Sequence, residues 1–415
     1  MATNVNLTTF DYALKDLYDE ARTVTAICAE NPAYARCKKT PKFPERKHSF
    51  MVHYGGPARS ATFANAQSNR YPSKGLELQI KRGHDYCIGR IDTETMLASE
   101  DDPDRLRQAA EGEADNAILA LNNSLGRAYF GSGSGALGQV NQSSLDTTTL
   151  TLKDAGDVIH FDVGQCLVFA ADEASALRDT GKVLTVSKVN ESAGTLVLSA
   201  KLNTVTALAT LDSIFTEGDY VSAADKLLPN GLDAWIPKTA PTTTETFCNA
   251  DRSVNVTKLA GHRHTSTTDP GLTTLEAIGL LARRIKRSGQ SANTCYLGTD
   301  RMGKLIQELE GKALYSKESV PVHGVSGEII AEVGFDAIVV HAGGATVKVF
   351  ADRNCPETTA WVLKNEAVEF LSLGQAPRWV VTGTPVSDAD QTEFRLAYWG
   401  NFQVITPCAV GRYDW

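Results

Sequence analysis

Residues 129–140 read YFGSGSGALGQV, with Gly133, Gly135 and Gly138 at the G-x-G-x-x-G spacing whose backbone amides cradle a dinucleotide pyrophosphate. That chemistry needs a strand before the glycines and a helix after them, because the phosphates rest on the helix N-terminus. Here a helical pattern precedes them, and the polar, non-helical QVNQSSLDTTTLTL follows. No acid marks the end of a second strand beyond the unremarkable Asp154/Asp157 region. The glycines therefore read as a flexible exit from a helix, and no nucleotide cofactor is expected. His262 and His264 share one side of an extended stretch, with Cys248 and Asp251 upstream, but no second ligand pair stands at zinc spacing. HGVSG (323–327) falls one residue short of a nucleophile elbow and lacks its strand-to-helix setting. The acids of EDDPD (100–104) resemble a metal cluster, but helix capping accounts for them more simply. No catalytic group, metal or cofactor is expected.

The elements around these residues are easier to read. Asp102 caps a helix with Pro103 at its first position, and acids crowd its first turns, where the macrodipole favours them. Leu106, Ala110, Ala114, Ala117, Ile118, Leu121 and Leu125 make one apolar face, and Gly126 is the expected stop. At about 1.5 Å per residue this is a rod of roughly 35 Å. Upstream, a short amphipathic helix capped at Thr8 or Thr9 carries Phe10, Leu14, Leu17, Tyr18 and Ala21, followed by the polar, proline-bearing ENPAYARCKKTPKFPERK. That stretch reads as an arm in need of a neighbour. HSFMVHYG and LELQIKRGHDYCIGRI predict a long hairpin around the apolar-poor tip ARSATFANAQSNRYPSKG. Downstream, short β-branched stretches with period two from 141 to 225 predict a small barrel or sandwich. Beyond 231 the pattern becomes mixed. A capping box, Thr273 with Glu276, opens the helix TTLEAIGLLARRIKRSGQ, then come strand NTCYLG and helix DRMGKLIQELEG. Strands follow at EIIAEVG, DAIVVHA, TVKVFAD and TAWVLK, and the aromatic-rich end to Trp415 reads as docked.

The 415 residues allow two or three domains, and 42% apolar with 22% charged residues is a globular composition. Eight scattered cysteines without a C-x-x-C pair argue against a disulfide framework or structural zinc. No membrane span or secretory signal is evident, so a cytoplasmic product is expected. The net charge of −8 is unevenly placed. Residues 36–90 hold twelve basic residues and three acids, a net +9, which leaves −17 on everything else. A basic stretch on an acidic body attracts copies of itself. It suits nucleic acid less well, since the stretch holds few stacking aromatics (Tyr54, Phe63, Tyr71, Tyr86) and the body repels phosphate.

The order of parts resembles the major capsid protein of tailed bacteriophages, the Hong Kong ninety-seven type fold. EADNAILALNNSLGRAYFGSGSG resembles the family's spine helix and its exit. TLEAIGLLARRIKRSGQSANTCYLGTDRMGKLIQELEGKALYS is similar to the helix–strand–helix of its axial domain, and LAYWGNFQVITPCAVGRYD to the closing strand of its peripheral domain. The likeness covers nearly the whole chain except 141–225 and rests on architecture rather than on a single motif.

The resemblance implies an α+β fold divided into an N-terminal arm (1–45), an extended hairpin loop (46–98) and a spine helix with its glycine-rich exit (99–140). An inserted β-domain (141–228), an axial α/β domain with peripheral strands (229–390) and a closing strand (391–415) complete it. It further implies a structural, non-enzymatic virion protein, assembled in the host cytoplasm into hexamers and pentamers of an icosahedral shell. Such a shell encloses packaged double-stranded DNA, lying near it without sequence preference, and matures by expansion. The expected partners are other copies of the chain, a separate scaffolding protein, a portal and a decoration protein. Arg59, Arg70, Lys74, Lys81 and Arg82 of the extended loop are expected to face the acidic spine end of a neighbour, Glu100, Asp101, Asp104, Glu111 and Glu113. Two rivals remain: a β-rich tail or adhesin component, resting on 141–225, and a nucleotide-binding α/β enzyme, resting on the glycines.

Overall fold

The computed structural model describes residues 28, 31–43, 45–92, 103–220, 226–243, 246–309, 314–323, 329–385 and 391–415. The expected helix near Thr8–Ala21, the cap Asp102 and most of HGVSG lie outside them.

The expected rod is a single helix, Pro103–Phe130. It buries Ala114, Ala117, Ile118, Leu121 and Leu125 on the predicted face. It runs straight through Gly126, which is therefore not its stop. A Cβ there would sit 2.1 Å from Asn354 Nδ2 and 2.5 Å from Asn31 Oδ1, so this glycine exists for close approach. The last turn carries Tyr129, whose ring meets those of Phe130, Tyr296 and Phe402 edge-on.

Two sheets flank the helix. A five-stranded sheet joins Lys38–Thr40, Val368–Ser372, Gln391–Val404, Arg378–Pro385 and Gly83–Asp92. Gly83–Asp92 pairs along Gln391–Gly400 and packs on the long helix. A seven-stranded sheet runs in the order His262–Thr265, Val410–Asp414, Thr359–Leu363, Thr294–Leu297, Ala345–Ala351, Ile329–Ala342, Leu314–His323. Helices Thr274–Arg287 and Thr299–Leu309 cover it through Ile278, Leu281, Ile285 and Leu305. The chain's last strand is thus docked deep in a sheet, with Tyr413 wholly buried.

The predicted capping box is present: Thr273 accepts from Glu276 N, and the Glu276 carboxylate accepts from Thr273 N at 2.9 Å. Glu308 adds to it by accepting from the amides of Thr274 and Leu275. Thr273→Ala is expected to cost about 1 kcal/mol, read as a lowered denaturant midpoint at unchanged slope.

Two readings need correction. The stretch read as an arm, as far as it is described, is part of the core. Residues Pro32–Arg36 form a helix that buries Tyr34, and Lys38–Thr40 pairs in parallel with Glu369–Leu371. Asn31 donates to Asn122 O at 3.0 Å, and Ala33 N to Asp352 Oδ2 at 3.1 Å. Next, EIIAEVG and DAIVVHA are one continuous strand, Ile329–Ala342, antiparallel to the unforeseen strand Leu314–His323. That strand contains Pro321, which is tolerated because the strand lies at the sheet edge, where a missing donor costs little.

The β-branched segment forms a six-stranded sheet in the order Gly138–Gln139, Ser213–Thr216, Cys166–Ala170, Leu184–Asn190, Thr195–Leu198, Thr149–Thr151. A bridge between Val140 and Leu152 joins its two edges, so the sheet closes into a barrel. Its core, including Leu150, Phe161, Leu167, Phe169, Leu196 and Ile214, is separate from the core of the body.

Candidate interaction surface

The hairpin pairs Lys47–Gly55 with Lys74–Lys81. Its base belongs to its own chain. Val52, Leu78 and Ile80 are buried, and Phe50 lies 6.0 Å from the ring of Trp235. Gln79 N donates to Cys248 O at 3.0 Å, and Lys258 Nζ to Tyr54 O at 2.9 Å. The tip is different. Between residues 56 and 73 no residue is buried. A short helix there, Phe63–Ser68, capped by Thr62, leaves Phe63 82% exposed, and Tyr71 is 53% exposed. A two-stranded hairpin is marginal in water, and a helix with no buried face gains nothing from packing. The tip therefore gains no packing from its own chain.

Its charge is one-sided: residues 46–82 hold seven basic residues against the single acid Glu77. Arg59, Arg70 and Lys74 stand exposed on the tip side. Lys81 is exposed at the base, where its carbonyl accepts from Asn401 at 2.6 Å. Arg82 is half-buried, and its guanidinium donates to Phe43 O at 3.2 Å. Three other cations of the +9 stretch meet acids of their own chain: Arg36 pairs with Glu318, Lys38 with Glu369 and Arg90 with Glu393. Much of the exposed positive charge of this stretch thus lies in the hairpin. Of the proposed acidic partners, Glu113 is exposed on the long helix, and Asp104 and Glu111 lie on the same helix. Glu100 and Asp101 lie outside the described residues.

Sequence reasoning found the cations but missed Phe63 as an exposed aromatic. Thr62, a good cap before a lone aromatic in a polar tip, was the available signal.

The glycines and the histidines make contacts within the chain. Gly133 and Gly135 have φ of +79° and +89°, and a Cβ on Gly133 would lie 2.6 Å from Asn230 Oδ1. Gly133 is close-packed and both glycines need a left-handed backbone, so they serve a defined turn rather than a flexible exit, and they follow the helix as the sequence indicated. His262 Nε2 meets Ser288 Oγ at 2.9 Å, and His264 Nδ1 meets Asp269 Oδ2 at 2.7 Å. Burial, more than the nearby His264 and arginines, holds His262 down to about 4. Among the described residues no group of three His, Cys, Asp or Glu is placed to hold a metal ion, and no helix is long and apolar enough to cross a membrane. All eight cysteines are free.

No protein-family model matches the sequence, and no curated protein matches it. Solved structures do match the fold. The capsid asymmetric unit of cyanophage A-1(L) superposes with a TM-score of 0.50 at 9% identity, over 95% of this chain and 92% of that one. A structure from Mycobacterium phage Ogopogo gives 0.44 at 11% identity, over 93% and 92%. The capsid of a native GTA particle gives 0.43 at 9%, over 94% and 90%. The chain has the fold of a phage capsid protein, mixed α+β with many strands and few helices.

Proposed function

We propose that this chain is the coat subunit of a virion: copies of it tile into hexamers and pentamers of an icosahedral shell around packaged double-stranded DNA. The single observation that carries the reading is the hairpin, whose base is seated in its own chain and whose cationic tip buries nothing there. A fold matching the cyanophage capsid along nearly its whole length supports it. In the assembled shell the hairpin lies over a neighbouring subunit. Arg59, Arg70, Lys74, Lys81 and Arg82 approach the acidic end of that neighbour's long helix, Glu100, Asp101, Asp104, Glu111 and Glu113. Each such pair is worth only a fraction of a kcal/mol, and repetition around a closed surface makes the sum decisive. The role is structural and non-enzymatic. A separate scaffolding protein, a portal and a decoration protein complete the particle, which assembles in the host cytoplasm and expands as DNA enters.

Expression of the chain followed by size-exclusion chromatography and negative-stain microscopy tests the reading. Large hollow spheres or their rings are expected. A small trimer or fibre would favour a tail or adhesin component, and a compact monomer under every assembly condition would end the proposal.

A further inference from the structure

The barrel touches the body across a seam. Two cavities, of about 280 and 180 Å³, flank the last turns of the long helix, and Arg127, Leu137 and His160 line both. Asp85 enters the seam from the body, and Asp157 and Asp219 enter it from the barrel side. The barrel's core shares no residue with the body's. What ties the two together tightly is a neck of two chain segments pinned side by side. Lys226 Nζ donates to Ser132 O at 2.7 Å, the Ser132 hydroxyl donates to Glu173, and Gly133 fits against Pro229 and Asn230. A body with its own core, a narrow pivot and a hollow polar seam has the parts of a hinge.

We propose that the seam is a proton-operated latch, in which protonated acids let the barrel seat against the long helix and ionised acids let it swing about the neck. In the seated form Asp157 is pushed up to about 7, first by burial and then by the charge of Asp154, while Lys153 and Arg127 oppose the rise. Asp219 is raised too, by burial and then by Asp85, against Arg127 and His84. His160, held down to about 3 by burial and then by Arg127 and Arg353, stays neutral and takes no part near neutral pH. On the far wall Arg412 is already paired with Asp233 and Asp414, and Glu173 with Ser132. Lys238 completes that wall. An acid raised in the seated form binds its proton more tightly there than when exposed. Seating is therefore strengthened as pH falls through about 7 toward the ordinary carboxylate range, and weakened above it.

Hydrogen-exchange mass spectrometry tests this on the intact chain, following peptides over 128–140, 154–161 and 226–235, corrected for intrinsic chemical exchange. The wild type is expected to exchange about five-fold faster at pH 8 than at pH 5.5 in these peptides, and Asp157→Asn less than about two-fold. Arg127→Gln removes a cation that favours the ionised acid, so its transition moves to higher pH. Circular dichroism confirms that both variants are folded. A wild type without pH dependence, an Asp157→Asn response equal to wild type, or an unmoved Arg127→Gln midpoint each overturns the latch. The measurement needs only the subunit, so its failure leaves the shell proposal standing.

Discussion

Reversing the charge of the hairpin tip, Arg59→Glu with Arg70→Glu and Lys74→Glu, is expected to reduce closed particles at least about ten-fold while leaving the subunit's thermal midpoint within about 2 °C. Three residues change sign, so each hairpin loses roughly six charges' worth of favourable interaction with an acidic surface, at a few tenths of a kcal/mol per exposed pair. The loss recurs at every copy, and closure multiplies it. All three side chains are exposed and outside the hairpin's buried base, which is why the fold survives. Arg82 is left alone because its bond to Phe43 O is local. The check is particle counting by electron microscopy beside circular-dichroism melting of the same preparation. Raising salt on the wild type gives a weaker version of the same result, since exposed charges are screened over about 8–10 Å. Normal particle yield from the triple variant would show that these cations do not hold the shell.

The second large effect is internal. Gly231 lies where the chain returning from the barrel crosses the end of the long helix. A Cβ there would lie 2.1 Å from Ala128 O and 2.5 Å from Tyr129 O. Both are backbone atoms of a helix wedged among aromatic rings, so neither side can yield cheaply. Gly231→Ala is expected to cost about 3 kcal/mol or more, seen as insoluble protein or a thermal midpoint lowered by about 4 °C or more. Gly112 supplies the internal comparison: it is exposed within the long helix, with nothing near its missing Cβ. Gly112→Ala should raise stability by about 0.5–1 kcal/mol, because alanine is the better helix former. Equal effects from the two substitutions would refute the packing account.

What was legible in the sequence was local. The long helix and the capping box at Thr273 arise from contacts a few residues apart, and the barrel strands show as a period-two alternation along the chain, although they pair with residues as distant as Gln139 and Ser213. Gly126 was misread because a glycine that ends a helix and one that admits a neighbour look alike in a window of ten residues. The neighbours that explain it, Asn31 and Asn354, come from opposite ends of the chain. The segment 31–43 was misread for the same reason: its partners Asp352 and Glu369 lie more than 300 residues away. Within the candidate surface, the excess of cations was plain. That Arg36, Lys38 and Arg90 find acids at home, and that the tip exposes Phe63, required the fold.

Seven cations against one acid in the hairpin mean that two such arms repel each other, which disfavours pairing them edge to edge in a symmetric, two-fold embrace. A contact made through the hairpin therefore joins it to an unlike patch on the other copy, and the proposed shell would use it head to tail. Repeated about an axis, a head-to-tail contact closes into a ring when the rotation divides the circle and runs on as a filament when it does not.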